Sequence, residues 1–161
     1  MKIKIKMDTN LNELAKQVFK ANTDKGFYDE INELAKVISS QSPHLLQALD
    51  NLITAQRLAL ITSETSETLE ADRKGVTVDS LIPMELPTYL VGLKGEMFEQ
   101  SDEDFIKDFE NYVKDTEEDE VADQFIRLLD YVGMKNIDID FHIKAKLKYN
   151  SLRPRKHGKL Y

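Results

Sequence analysis

Glu64 and Glu67 stand at i and i+3, and Glu120 and Asp123 repeat that spacing, with Glu117 one turn earlier. On a helix each pair points to one side. At 100° per residue, Leu49, Ile53, Gln56, Leu60 and Ala71 define one direction of a long helix, and Glu64 and Glu67 fall in that same stripe. Two carboxylates about 4 Å apart repel by roughly 4 kcal/mol at an effective dielectric near 20, and burial adds a desolvation cost. The pair persists where a cation, a proton or a basic partner neutralises it, or where the helix projects past the core at Ser63. For the second pair the wheel places Val121, Phe125, Leu128, Leu129 and Val132 on the apolar face. Glu120 and Asp123 lie roughly opposite, beside Arg127 and Tyr131, as a solvated acidic face would. Taken together, two acid pairs on two helices suit Mg²⁺ or Mn²⁺, hard cations that take oxygen ligands and keep places for water and phosphate.

Other chemistries lack their residues. There is no cysteine, which removes disulfides, thiolate nucleophiles and zinc–cysteine sites. His44, His142 and His157 form no Glu-x-x-His pair of the di-iron kind. No EF-hand loop, glycine-rich phosphate loop or Ser/His/Asp spacing occurs.

The elements that must carry these acids read as helices. Residues 2–6 alternate lysine and isoleucine, a short strand pattern or a frayed end. Leu11, Leu14, Ala15, Val18 and Phe19 predict a first helix capped by Thr9 or Asn10 and ended by Asp24-Lys25-Gly26. A short helix follows over about 29–39. Ser42-Pro43 predicts the start of a long helix to about Lys74, closed by Gly75. Residues 76–100, with Pro83, Pro87, Gly92 and Gly95, read as an irregular insertion. Ser101 and Thr116 each precede acids and cap further helices, the second reaching Val132 and closed by Gly133. The segment 138–150 alternates like a strand through Phe141, Ile143, Ala145, Leu147 and Tyr149, while Ile139, Ile143 and Leu147 also suit a helix, which the pattern favours. The expectation is one all-α domain, a bundle of roughly four to six helices.

The chain has 161 residues with net charge −7, unevenly spread. Residues 141–161 hold seven Lys or Arg and no acid, which leaves 15 basic and 29 acidic residues before them. An acidic body with a basic tail is unlike a duplex-DNA binder; it suits a metal in one place and an anion in another. No apolar run approaches the ~20 residues of a membrane span, and Met1-Lys-Ile-Lys-Ile-Lys lacks a signal peptide's apolar block. The expected compartment is the cytoplasm.

The runs from Leu58 to Lys74 and from Glu117 to Asp130 resemble the MazG-like all-α nucleoside triphosphate pyrophosphohydrolases, whose hallmark is E-x-x-E on one helix and E-x-x-D on the next. Here these are Glu64/Glu67 and Glu120/Asp123. The tail from Lys146 through Tyr149-Asn150, Arg153-Pro154 and His157-Gly158-Lys159 is similar to the family's end, and Lys25-Gly-Phe-Tyr28 to a segment near the start of some members. The resemblance covers most of 11–159. The two motifs stand wider apart than in compact members, and an insertion at about 76–115 fills the difference, expected to be an extra loop and helix near the substrate mouth.

The resemblance implies that 138–150 is a helix and that the Glu120/Asp123 face turns toward the first pair. It implies Mg²⁺-dependent hydrolysis of a (d)NTP to the monophosphate and pyrophosphate, with Mn²⁺ as a substitute. Glu64, Glu67, Glu120 and Asp123 would be metal ligands and catalytic groups, Glu67 the favoured base. Lys146, Tyr149, Asn150, Arg153, Lys156 and His157 would meet the substrate, the cations neutralising phosphate oxygens. Phe27 and Tyr28 would form a base-side wall or simply pack in the core. A homodimer or homotetramer is implied, consistent with apolar residues nearly all round the long helix from Leu45 to Ile61. The alternatives are a related enzyme narrow for dUTP, dCTP or phosphoribosyl-ATP, a nucleotide-binding module without turnover, and a purely structural acidic bundle.

Overall fold

The computed structural model describes residues 10–81 and 101–153. The expectations for residues 2–6, for Thr9 as a cap, for the prolines and glycines of 82–100, and for Lys156 and His157 fall outside them.

Among the described residues the chain is helical and has no strand. The helices are α1 (Leu11–Asp24), α2 (Asp29–Gln41), α3 (Leu46–Lys74), the single turn α4 (Val78–Leu81), α5 (Asp102–Tyr112), α6 (Glu117–Met134) and α7 (Ile139–Ser151), with a 3₁₀ turn at Pro43–Leu45. None is long and apolar enough to cross a membrane.

Sequence signals fix most of the ends. The Asn10 side chain accepts the amide of Glu13 and starts α1, and Ser101 does the same for α5 through Asp104. Helix α3 closes at Gly75, whose φ of 66° is left-handed; Gly75 N–H donates to the Asp72 carbonyl and Val76 N–H to that of Ala71. Two ends differ from the expectation. Pro43 opens the 3₁₀ turn rather than α3, and Ser42 makes no side-chain cap. Gly133 does not end α6, which continues to Met134. The left-handed residue there is Asn136, at φ 50°, with Asn136 N–H donating to Gly133 and Ile137 N–H to Val132. Glycine at 133 has a packing cause. A Cβ there would lie 2.5 Å from the Ala15 carbonyl oxygen and 2.6 Å from the Phe19 Cβ.

The chain divides into two compact units, Met1–Leu58 with Ile126–Tyr161, and Ala59–Phe125. In the first, Ala15, Leu129 and Val132 are buried and Leu14, Val18, Ile137 and Ile139 pack around them. Asn12 ties α1 to α7: its Nδ2 donates to Asp138 (2.8 Å), its backbone N–H donates to the Asp140 carboxylate, and its Oδ1 accepts the Asp140 amide. Asp138 also caps α7 by accepting the Phe141 amide, so the ambiguous segment is a helix with its own start signal. Tyr28, buried against Phe19, donates to Asp130 at 2.6 Å, and Arg57 lies over the Tyr28 ring.

The second unit takes its framework from the end of α3, from α4 and α5, and from the start of α6. Helix α4 packs on α5. The Glu118 carboxylate accepts the Val78 amide at the start of α4 (3.0 Å), and Glu117 N–H donates to the Val76 carbonyl (2.9 Å).

Candidate metal centre

The buried positions of α3 include Arg57, Glu64 and Ala71, spaced by seven, so they lie along one line of the helix. Glu64 is only 6 % exposed, whereas Glu67 and Gln56 are exposed. The expected stripe therefore buries one of its two acids. A residue three positions on is rotated by about 60° from the first, enough to carry Glu67 out to solvent. There it accepts the Ser63 hydroxyl at 3.0 Å.

Helix α6 is turned differently from its apolar pattern. Leu129 and Val132 are buried, but Val121, Phe125 and Leu128 are exposed, Phe125 by 59 %. Glu120, placed by that pattern on the solvated side, is 9 % exposed. The first turn holds it there. Thr116 is fully buried, donates its hydroxyl to the Val113 carbonyl (2.6 Å) and accepts the Asp119 amide, while Glu120 N–H bonds the Thr116 carbonyl. This cap, with the two bonds from Glu117 and Glu118, fixes where the helix begins.

The result is a convergence of acids inside the second unit. Glu64, Glu120 and Asp123 each offer a carboxylate oxygen, and these atoms lie within 4.8 Å of one another. Asp123 is exposed, so the set opens to solvent on one side. Burial first, and then the charge of Glu67, push the Glu120 carboxyl above the ordinary range; Asp119, Asp123 and Glu64 push the same way. Glu67 thus acts on Glu120 without belonging to the converging set. The Asp119 carboxyl is also raised, by burial, against the opposing hydrogen bond from the Asp115 amide.

The donor set fits a small divalent cation. Oxygens about 2.1 Å from Mg²⁺ are separated by roughly 3 Å at neighbouring corners of an octahedron and about 4.2 Å across it, so a closure of up to about 2 Å, within the reach of side-chain rotation, brings the three carboxylates into range. All donors are hard oxygens.

The expected substrate residues lie in the first unit. Lys146, Tyr149, Asn150 and Arg153 follow i, i+3, i+4, i+7 spacing and share a face of α7 and its end. Lys146 Nζ is 5.6 Å and the Arg153 guanidinium carbon 5.7 Å from the centroid of the exposed Tyr149 ring. Asn150 is half-buried, and its Oδ1 has no hydrogen-bond partner among the described residues. Of the pair read as either a base wall or core, Phe27 is exposed and Tyr28 is core.

Thr116 caps α6 as its place before the acids predicts, whereas sequence reading missed Thr65, Thr68 and Gln124, which arrange the acids without charge of their own. The run Thr62-Ser-Glu-Thr-Ser-Glu-Thr68, a hydroxyl beside every acid, was the available signal. Comparison with known proteins adds no identity to this geometry: no family model, no curated protein and no solved structure matches the chain.

Proposed function

We propose that the chain is a divalent-cation-dependent nucleoside triphosphate pyrophosphohydrolase of the MazG-like kind, cleaving (d)NTP between the α and β phosphates. The reading is carried by the convergence of Glu64, Glu120 and Asp123 on facing turns of α3 and α6, at the E-x-x-E and E-x-x-D positions. Glu64, Glu120 and Asp123, with Glu67 beside them, would hold Mg²⁺, or Mn²⁺ in its place. Bound there, the cation neutralises phosphate oxygens and lowers the pKa of the attacking water.

The chain's own groups have separate tasks. Glu64 and Glu120, buried and set by their helices, hold fixed ligand positions. Asp123 is at the open side, where a triphosphate would enter. Glu67, exposed and steadied by Ser63, is the group free to accept a proton from water. Within the first unit, Lys146 and Arg153 on the α7 face offer positive charge suited to phosphate oxygens, and Asn150 an amide suited to sugar or phosphate. A homodimer or homotetramer is part of the proposal, supported by the exposed Val121, Phe125 and Leu128 of α6. So is a place in the cytoplasm as a nucleotide-pool enzyme.

The test is incubation of the full chain with the four NTPs and four dNTPs, with Mg²⁺ or EDTA, beside Glu64→Gln. Pyrophosphate and monophosphate that require Mg²⁺ and vanish in the variant are the expected result, and they rank the bases. Release of single phosphate means cleavage at the γ position and overturns the mechanism. No turnover with retained nucleotide binding moves the reading to a binding module.

A further inference from the structure

Gln124 follows Asp123 directly and stands one turn after Glu120, so its side chain leaves α6 on the same side as the buried acid. It reaches two hydroxyls of α3. Gln124 Nε2 donates to Thr68 Oγ1 in a short bond, and Thr68 Oγ1 donates in turn to the Glu64 carbonyl at 3.0 Å. Since the Thr68 proton is committed to Glu64, its oxygen must accept, which fixes the amide with nitrogen toward Thr68. On the other side, Thr65 Oγ1 is 3.1 Å from Gln124 Oε1 and 3.0 Å from the Ile61 carbonyl. Thr65 and Thr68 are the residues immediately after Glu64 and Glu67. One neutral side chain therefore spans the turn of α3 that carries both acids and attaches it to the turn of α6 that carries the other two.

We infer that Gln124 is a positioning residue for the metal centre, setting the register of α3 against α6 through Thr68. The inference rests on the metal-centre reading above. A slip of one residue along either helix moves the chain by about 1.5 Å and rotates it by about 100°, which would separate Glu64 from Glu120. Apolar contact alone does not forbid that slip, because the surrounding face of α3 carries hydroxyls and acids. A directional amide bonded to a hydroxyl does. A glutamate at 124 would serve poorly, adding a fifth negative charge to the carboxylates, and a lysine would compete with the cation for them.

The experiment is Mn²⁺ titration of the full chain, followed by electron paramagnetic resonance well below each variant's melting temperature. Gln124→Met keeps the bulk and removes both hydrogen bonds; Thr68→Val removes the acceptor; Thr68→Ser restores it. Expected are Mn²⁺ affinities about tenfold to a hundredfold weaker in Gln124→Met and Thr68→Val, an altered bound-Mn²⁺ spectrum in both, no further loss in the double variant, and wild-type behaviour in Thr68→Ser. If Gln124→Met does not fold, the two Thr68 variants decide. Wild-type affinity and spectrum in Thr68→Val and Gln124→Met overturn the role of Gln124 and leave the metal centre intact. Failure of the wild type to bind Mn²⁺, or binding unchanged in Glu64→Gln, overturns both.

Discussion

Glu64 and Glu120, on different helices, are both almost wholly buried, and each brings a carboxylate oxygen within 4.8 Å of the other. Burial and the charges of Glu67, Asp119, Asp123 and Glu64 all disfavour the ionised Glu120 carboxylate, which costs the folded chain repulsion and desolvation. Glu120→Gln should therefore raise the metal-free melting temperature, by a few degrees if about 1 kcal/mol is relieved. Adding Mg²⁺ should reverse the order. At ligand near a hundredfold over Kd the wild type gains about 2.7 kcal/mol, and the variant gains far less. Scanning calorimetry with Mg²⁺ and with EDTA checks both halves.

The pH dependence follows from the raised Glu120 carboxyl. Its folded-state affinity for a proton exceeds the unfolded one, so between those two values the folded chain binds more protons. Stability contributed by this group is lost as pH rises through that window. Metal-free protein should lose stability on going from about pH 4.5 toward neutrality. Mg²⁺, which favours the ionised carboxylate, should flatten the slope. Urea titrations at a series of pH values, with EDTA and with Mg²⁺, measure it.

Tyr28 donates to Asp130 at 2.6 Å in the first unit's interior, and burial with that bond holds the phenol proton well above its ordinary range. Arg57 Nη1 is 3.8 Å from the same carboxylate oxygen. Tyr28→Phe keeps the ring under Arg57 and removes the donor. A buried carboxylate then loses its closest partner, and stability should fall by about 1–3 kcal/mol, read as the urea midpoint. Nucleotide turnover, if present, should persist below the new melting temperature.

Gly133→Ala should be destabilising although alanine is the better helix former. The added methyl meets the Ala15 carbonyl at 2.5 Å, backbone that cannot rotate away. Overpacking of this kind costs about 1–3 kcal/mol. An unchanged or raised melting temperature would show that α1 yields more easily than its packing suggests.

Phe125→Glu places a charge on the exposed apolar face of α6. If copies of the chain associate through that face, analytical ultracentrifugation should show the wild type as a dimer or tetramer and the variant as a smaller species. An unchanged mass would move the interface elsewhere.

Much of the fold was legible because caps and breakers act locally. Asn10, Ser101 and Gly75 do in the structure what their side chains and backbone freedom dictate in the sequence. Gly133 was misread because a glycine at a helix end and a glycine under a crossing helix look the same in one dimension; only Ala15, far away in sequence, tells them apart. The apolar stripe of α6 misled for a similar reason. Pattern assigns the core to hydrophobic residues, but the start of this helix is set by polar attachments at Thr116, Glu117 and Glu118, and they bury Glu120 while leaving Phe125 out. The acid spacing was visible at once. The neutral brackets around it were not, because threonine and glutamine in a helix carry no periodic signal.

Helices α4 and α5 pack on one another, and α4 is fastened at its start to the first turn of α6. Glu118, which takes the Val78 amide, stands two residues before the buried Glu120 in the same turn of α6. Strain applied to the start of α4 therefore reaches an acid of the cluster through a single helical turn, so a spectroscopic label on α4 becomes a remote reporter of what happens at Glu120.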